Sequence, residues 1–241
     1  MTAGSSADAP NVTRATQAVA VMAKAPGWLP VKSRLQPPLS GDEARALATA
    51  FLLDRLDGVT SLSAVAAVLA FAPAEAERAL RALAPPGVRL LAQRGEGLGE
   101  RLTHLFDDLL TEHAGALALD TDSPTLPMAS VADGLDALAD DSADVVLGPS
   151  EDGGYWAIGL RAPCPALFVA VPWSTDRVLE TTLARAAGEN LRVRLLPRWF
   201  DIDTEADLRR LCDDVAVSRR APRTAALLPA LTARLGAETA R

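Results

Sequence analysis

Lysine is almost missing from this 241-residue chain: of 24 basic residues only Lys24 and Lys32 are lysines. Aromatics are also scarce at 4%, with four Trp, one Tyr and five Phe. Two cysteines (Cys164, Cys212) and two histidines (His104, His113) are too few for a Cys/His zinc site or a disulfide framework. Positive charge is in deficit, with a formal net charge of −7, which argues against non-specific nucleic-acid binding. No apolar run reaches the ~18 residues of a membrane span, and 64–71, the longest, is about half that. The polar start of the chain lacks the basic and apolar regions of a signal peptide, so a disordered tail over 1–17 and a cytoplasmic location are expected.

What is present is apolar: 49% of the residues, dominated by Ala, Leu and Val, enough for one substantial core. Short apolar runs alternate with helical patterns, predicting an α/β fold with helices on both faces of a sheet. Strands are expected at 18–22, 64–71, 88–92, 116–119, 145–147, 155–158 and 193–196. Helices are expected near 41–56, 74–83, 99–112, 128–139, 175–187 and 204–217. One domain over 18–217 follows, then a linker and an amphipathic helix over 218–241.

In such sheets ligands bind at the carboxyl ends of strands, and five loops there carry unusual residues. After the first strand, Lys24, Gly27, Lys32 and Arg34 gather both lysines of the chain, a pattern suited to a di- or triphosphate. The Gly-Lys-Thr ending of a P-loop is absent. After the third strand, Gln93 precedes glycines at 95, 97 and 99; its amide can read a base edge, and Gly97 lets a ligand lie against backbone. After the fourth, Asp120 and Asp122 form an Asp-x-Asp that can hold a divalent cation, with a helix cap at Asp122 or Ser123 as the plainer alternative. The fourth loop packs Glu151, Asp152, Gly153, Gly154, Tyr155 and Trp156 together, as a sugar or acceptor site would. The fifth places Asp201 and Asp203 before a Thr204–Asp207 capping pair; capping leaves the first two unexplained, and a second contribution to a metal site is the natural reading. Most of the rings fall in or beside these loops: Trp28, Tyr155, Trp156, Trp173, Trp199 and Phe200.

The order of these motifs resembles the cofactor-guanylyltransferase-like family, also labelled arsenosugar biosynthesis glycosyltransferase-like, of the GT-A nucleotide-diphospho-sugar transferase superfamily. The matching stretches are Ala23–Pro26, Lys32–Leu35, Ala50–Asp54, Gln93–Arg101, Thr121–Pro124, Gly148–Tyr155, Pro172–Thr175 and Asp201–Leu208, spread over about 18–215. The resemblance implies a single GT-A-type, Rossmann-like domain with a mixed, mostly parallel seven-stranded sheet. It implies Asp122 as principal ligand of Mg²⁺ or Mn²⁺, with Asp201 or Asp203 completing the site, Gln93 at the nucleobase and the Lys24–Arg34 loop around the phosphates. Trp173 joins the acceptor side through Pro-Trp-Ser-Thr. Two departures are notable: Asp120 stands where the family more often has Gly, and Gly27-Trp28-Leu29-Pro30 replaces a Pro-Gly order.

Two reactions suit this pattern. In glycosyl transfer from a nucleotide-diphosphate sugar to a small-molecule acceptor, Asp122, Lys24, Lys32 and Arg34 serve the leaving diphosphate, and Asp152 or Glu151 deprotonates the acceptor. In nucleotidyl transfer, a phosphorylated small molecule attacks a nucleoside triphosphate and needs no carboxylate base. A non-catalytic nucleotide-binding protein is a third reading, disfavoured because Asp122 and both lysines are kept. Neither nucleic acid nor membrane is expected as a partner, and the assembly is expected to be a monomer or homodimer.

Overall fold

The computed structural model describes residues 17–239. Among them, seven strands form one sheet: β1 (Gln17–Lys24), β2 (Val65–Ala72), β3 (Arg89–Ala92), β4 (Ala116–Leu119), β5 (Val145–Pro149), β6 (Tyr155–Leu160) and β7 (Val193–Leu195). Their order is β3-β2-β1-β4-β6-β5-β7. Only β6 runs antiparallel to its neighbours, so the sheet is mixed and mostly parallel, as expected. The strands end within a few residues of the positions read from the sequence. The expected tail over 1–17 lies outside the described residues except Gln17, which opens β1 and donates from its amide to the Leu135 carbonyl at 2.7 Å.

Central strands are buried on both faces because helices cover both. Val19 and Val21 of β1 pack with α1 (Gly41–Thr60), α2 (Glu77–Leu83) and α4 (Met128–Ala139), while the alternate Ala18 and Ala20 face α3 (Leu98–Glu112) and α5 (Val178–Gly188). Alanine in these rows lets the helices lie close. A Ser40–Glu43 capping box starts α1.

The C-terminal part departs from the expected single helix and linker. The 204–217 stretch breaks into α6 (Glu205–Asp213) and α7 (Val217–Arg220), and α8 (Pro222–Thr239) follows after one residue. Leu228, Leu231 and Leu235 of α8 join Leu47 and Phe51 of α1, Leu208 and Leu211 of α6, and Phe200 and Ile202 in a third apolar cluster. Asp54, in the Ala50–Asp54 stretch, accepts from the Arg223 and Thr224 amides at 3.0 and 2.9 Å and so caps α8 from α1. No helix of the described residues is long and apolar enough to cross a membrane.

From β1 the chain moves outward to β2 and β3, then returns to β4 on the other side of β1. That reversal opens a crevice at the carboxyl ends of β1 and β4. The loops carrying Lys32 and Asp122 flank it.

Candidate functional site

Lys32 lies at the centre. Its backbone is left-handed (φ 49°, ψ 37°), a conformation costly for a residue with a Cβ, and it turns the side chain inward until only 4% of it is exposed. The ammonium stands 2.5 Å from Asp122 Oδ1 and 3.3 Å from Asp203 Oδ1, donates to the Ile202 carbonyl at 2.6 Å, and lies 5.2 Å from the centre of the Phe51 ring. Burial works against its charge. The attraction of Asp122, then Asp203, with hydrogen bonds to both, outweighs that and raises its pKa above the ordinary lysine value. Asp122 and Asp203 are themselves 44% and 40% exposed, so this pair opens toward solvent while the lysine does not.

The loops after β4 and β7 are tied directly, since the Ile202 amide donates to the Asp122 carbonyl at 2.8 Å. Asp120 and Asp201 face inward from the same two loops. Ser123 Oγ is 2.9 Å from Asp120 Oδ2 and 2.8 Å from Asp201 Oδ1, and Ser150 Oγ is 3.2 Å from the same Asp201 oxygen. A hydroxyl has one proton to donate, so Ser123 can serve one carboxylate; the other contact requires a proton on a carboxyl. The pKa directions agree. Burial first, then the neighbouring Asp201 charge, pushes Asp120 well above the usual carboxylate range, although Arg55 opposes it. Burial likewise pushes Asp201 up to about 6.

Arg55, on the apolar stripe of α1, is the second cation. Its guanidinium is 2% exposed, donates to the Ser123 carbonyl and lies 3.6 Å from Asp120 Oδ1. Among the described residues, neither Arg55 Nε nor Asp120 Oδ1 has a hydrogen-bond partner. Arg55 and Ser150 received no role from the sequence, and Ser123 only that of a helix cap. A charged residue in register with Phe51, Leu52, Leu56 and Val59 was the signal for Arg55.

The helix-cap alternative for Asp122 and Ser123 does not hold. Helix α4 starts only at Met128, with Pro127 as its N-cap and no side-chain cap. The Thr204–Asp207 pair is a capping box as expected, with the Asp207 carboxylate accepting from the Thr204 amide at 2.8 Å. Asp203 remains free of that duty and faces Lys32.

The other expected residues line the crevice unevenly. Lys24 ends β1 exposed, Gly27 takes φ 86° in the following turn, and Arg34 is 74% exposed with its guanidinium 4.0 Å from Asp203. Gln93 donates to the Ala70 and Ala23 carbonyls at 2.8 and 3.3 Å, which fixes the amide across β2 and β1. Gly97 is the exposed N-cap of α3. Asp152 Oδ1 accepts from the Gly154 amide at 2.9 Å, and its charge adds to the pressure on Asp201. Gly153 must be glycine: its φ is 90° and a Cβ would fall 2.1 Å from the Asp176 carbonyl oxygen.

Three features of the fourth loop differ from expectation. Trp156 is fully buried with its ring under Gly148, where a Cβ would come within 2.2 Å of the indole, so it belongs to the core and offers no face to a sugar. The hydroxyl of Tyr155 is buried, and burial raises its pKa; its ring meets Trp173 edge-on at 6.4 Å. Glu151 makes a two-pronged ion pair with Arg210 at 2.7 and 3.1 Å, and the Arg210 hydrogen bonds hold its pKa low.

Among the described residues, no three His, Cys, Asp or Glu side chains are grouped so that they could hold a metal ion by themselves. The site offers two carboxylates around one cation position, occupied by the Lys32 ammonium. Magnesium is commonly bound this way, by one or two carboxylates, with substrate phosphates and water filling the rest. The donor set therefore fits a metal that arrives with a nucleotide.

The family model described as "Uncharacterized protein conserved in bacteria (DUF2064)" matches residues 55–175. No curated protein matches. Among solved structures, a provisionally assigned nucleotide-diphospho-sugar transferase from Desulfovibrio desulfuricans G20 is 30% identical with a TM-score of 0.81, the match covering 90% of this chain and 96% of that one. The inositol-1-phosphate CTP transferase from T. maritima is 16% identical (TM-score 0.57; 87% and 96% covered). The CMP:2-keto-3-deoxy-manno-octonic acid synthetase in complex with CTP is 14% identical (TM-score 0.54; 81% and 96% covered). The last two share the fold, which is that of the GT-A-like nucleotide-diphospho-sugar transferases, and the chain belongs to the DUF2064 family.

Proposed function

We propose that the protein is a divalent-metal-dependent transferase that uses a nucleotide-diphosphate sugar as donor and a small molecule as acceptor. The observation that carries this reading is the Asp122–Asp203 pair sharing one cation at the crevice beside β1 and β4. The Desulfovibrio relative, similar over nearly its whole length, supports the substrate class. Asp122 and Asp203 would hold Mg²⁺ or Mn²⁺; bound there, the metal supplies Lewis-acid stabilisation of charge on a leaving diphosphate. Asp120 and Asp201 stand behind that pair, facing Ser123, Ser150 and Arg55, and act as its support.

Lys24 and Arg34, exposed at the rim, attract the polyanion. Gln93, its NH₂ group held by two strand carbonyls, is left with its oxygen as an acceptor for a base edge. Asp152 is the better candidate for general base on an acceptor hydroxyl, because Glu151 is committed to Arg210. Trp173 and Tyr155 form the wall beside the fourth loop.

Nucleotidyl transfer is the second reading. It gains from the burial of Trp156 and the Glu151–Arg210 pair, which remove two features suited to a neutral polyhydroxyl acceptor. One experiment separates them: nucleoside triphosphates and nucleotide-sugars offered in parallel with Mg²⁺ or Mn²⁺ and candidate acceptors. Nucleoside diphosphate release supports the first reading, pyrophosphate release establishes the second, and turnover unaffected by chelation removes the metal from both.

A further inference from the structure

Lys32 is poorly placed for the phosphate contact that its loop suggests. An ammonium has three protons, and three acceptors already surround this one: Asp122 Oδ1 at 2.5 Å, Asp203 Oδ1 at 3.3 Å and the Ile202 carbonyl at 2.6 Å. The side chain is 4% exposed and its tip lies over Phe51. Nothing is left over with which to hold a diphosphate. The two exposed carboxylates each turn Oδ1 to the same nitrogen, which fills the side they share. Lys32 and a divalent cation cannot both stand there.

We propose that Lys32 is a resident counter-cation that a divalent metal displaces, and that its release makes the ammonium available to the anionic part of the nucleotide. The proposal rests on the metal reading given above and adds to it an exchange. Before metal arrives, one positive charge keeps Asp122 and Asp203 from repelling each other and holds the loops after β4 and β7 in register. A cation of charge two satisfies the same pair better, while the freed lysine keeps its own charge at the rim, where a phosphate can pair with it. The flexible four-carbon stem of Lys32 can swing by its own side-chain torsions, with the backbone at Lys32 and the following 3₁₀ turn Ser33–Leu35 left in place and Leu35 kept in the core.

The scarcity of lysine supplies the test. Lys24 and Lys32 are the only lysines, one exposed and one buried. The full wild-type chain is treated with an amine acylating reagent and modification at each lysine is followed by peptide mass spectrometry, without metal, with saturating Mg²⁺, and with Mg²⁺ plus a nucleoside diphosphate. Mn²⁺ binding to the wild type and to D122N is measured in parallel by electron paramagnetic resonance. The expected result is slow labelling of Lys32 without metal, a rise of at least about tenfold with Mg²⁺ alone, and renewed protection when the diphosphate is added. Lys24 serves as the reference and should change little with Mg²⁺ alone. If the wild type binds Mn²⁺ and D122N does not, yet Lys32 stays protected in saturating Mg²⁺, the exchange is refuted and the metal reading survives. If Mn²⁺ does not bind, or binds D122N equally well, the metal reading fails and the exchange falls with it.

Discussion

Two ionic clusters in this molecule use the same side chains to opposite ends. At the edge of the sheet, before β5 and β7, Asp141 and Asp144 face Arg161 and Arg192, two charges against two, with Arg192 donating to both Asp144 oxygens at 2.8 and 2.9 Å. There the Arg192 hydrogen bonds hold Asp144 down at about 2. In the crevice, Asp120, Asp122, Asp201 and Asp203 face Lys32 and Arg55, four carboxyl groups against two cations, and burial pushes Asp201 up to about 6. The edge cluster is balanced, saturated with hydrogen bonds and finished. The crevice cluster is short of positive charge and leaves Asp120 Oδ1 and Arg55 Nε unpartnered among the described residues. A structural ion pair needs nothing further; the deficit in the crevice is what the proposed metal would fill.

Removing a carboxylate therefore has opposite consequences in the two places. In the crevice the largest effect is on activity. Asp122→Asn keeps the shape of the side chain and removes one of the two charges that would hold the proposed metal, so turnover with Mg²⁺ or Mn²⁺ should fall by about 10²-fold or more. The melting temperature should stay close to that of the wild type, because Asn can still accept from Lys32. Steady-state rates across a Mn²⁺ titration, alongside a thermal melt, check both. An unchanged rate would make the charge deficit irrelevant to function.

Arg55→Leu attacks the support. It leaves the Ser123 carbonyl without its Arg55 donor and removes the one cation near Asp120 among the described residues. Breaking a buried pair typically costs about 3–5 kcal/mol. The lower end is expected, since Asp120 already leans toward its neutral form and can discharge itself. Urea denaturation measures the loss. A loss below about 1 kcal/mol would mean that Arg55 contributes no more than an exposed arginine.

How much of this was legible in the sequence follows from where each signal lies. Strands such as Ala18–Val21 are apolar on both faces, so burial and element type are written in the same residues. Asp122 stood out as part of an Asp-x-Asp at a strand's end, with capping as its plainer alternative, and Asp203 because the Thr204–Asp207 capping pair leaves it unexplained. The division of labour among the four aspartates was not legible. It depends on Ser123, Ser150 and Arg55, which come from three distant segments and meet only when α1 crosses the carboxyl end of the sheet. Trp156 misled for a similar reason: in sequence it neighbours Asp152 and Gly153, but strand alternation turns its ring inward beneath Gly148. Charge and aromatic density locate a loop, while alternation decides which of its side chains face the ligand.

Acid and base titrations give the smallest and most direct contrast. Folded Asp201 holds its proton up to about pH 6, whereas an unfolded aspartate releases it near 4. The folded state thus binds more protons between these values, so its contribution to stability is complete below about pH 4 and is lost as pH rises through 6. Asp201→Asn mimics the protonated form, keeps partners for Ser123 and Ser150, and should remove that decline, raising stability at pH 7.5 by up to about 2–3 kcal/mol. Asp144 runs the other way. Its folded pKa is about 2, below the unfolded value, so its contribution is present above about pH 4 and lost as pH falls toward 2. Because Asp144 and Arg192 are partly in water, with 29% and 52% of their side chains exposed, screening limits this to about 1 kcal/mol or less. Chemical denaturation of Asp144→Asn and wild type from pH 2.5 to 7.5 should show a gap that opens with rising pH and levels off near 5. For Asp201→Asn the gap should open between 4 and 7 with the opposite sign. Two curves of the same sign would mean that charge balance does not separate the two clusters.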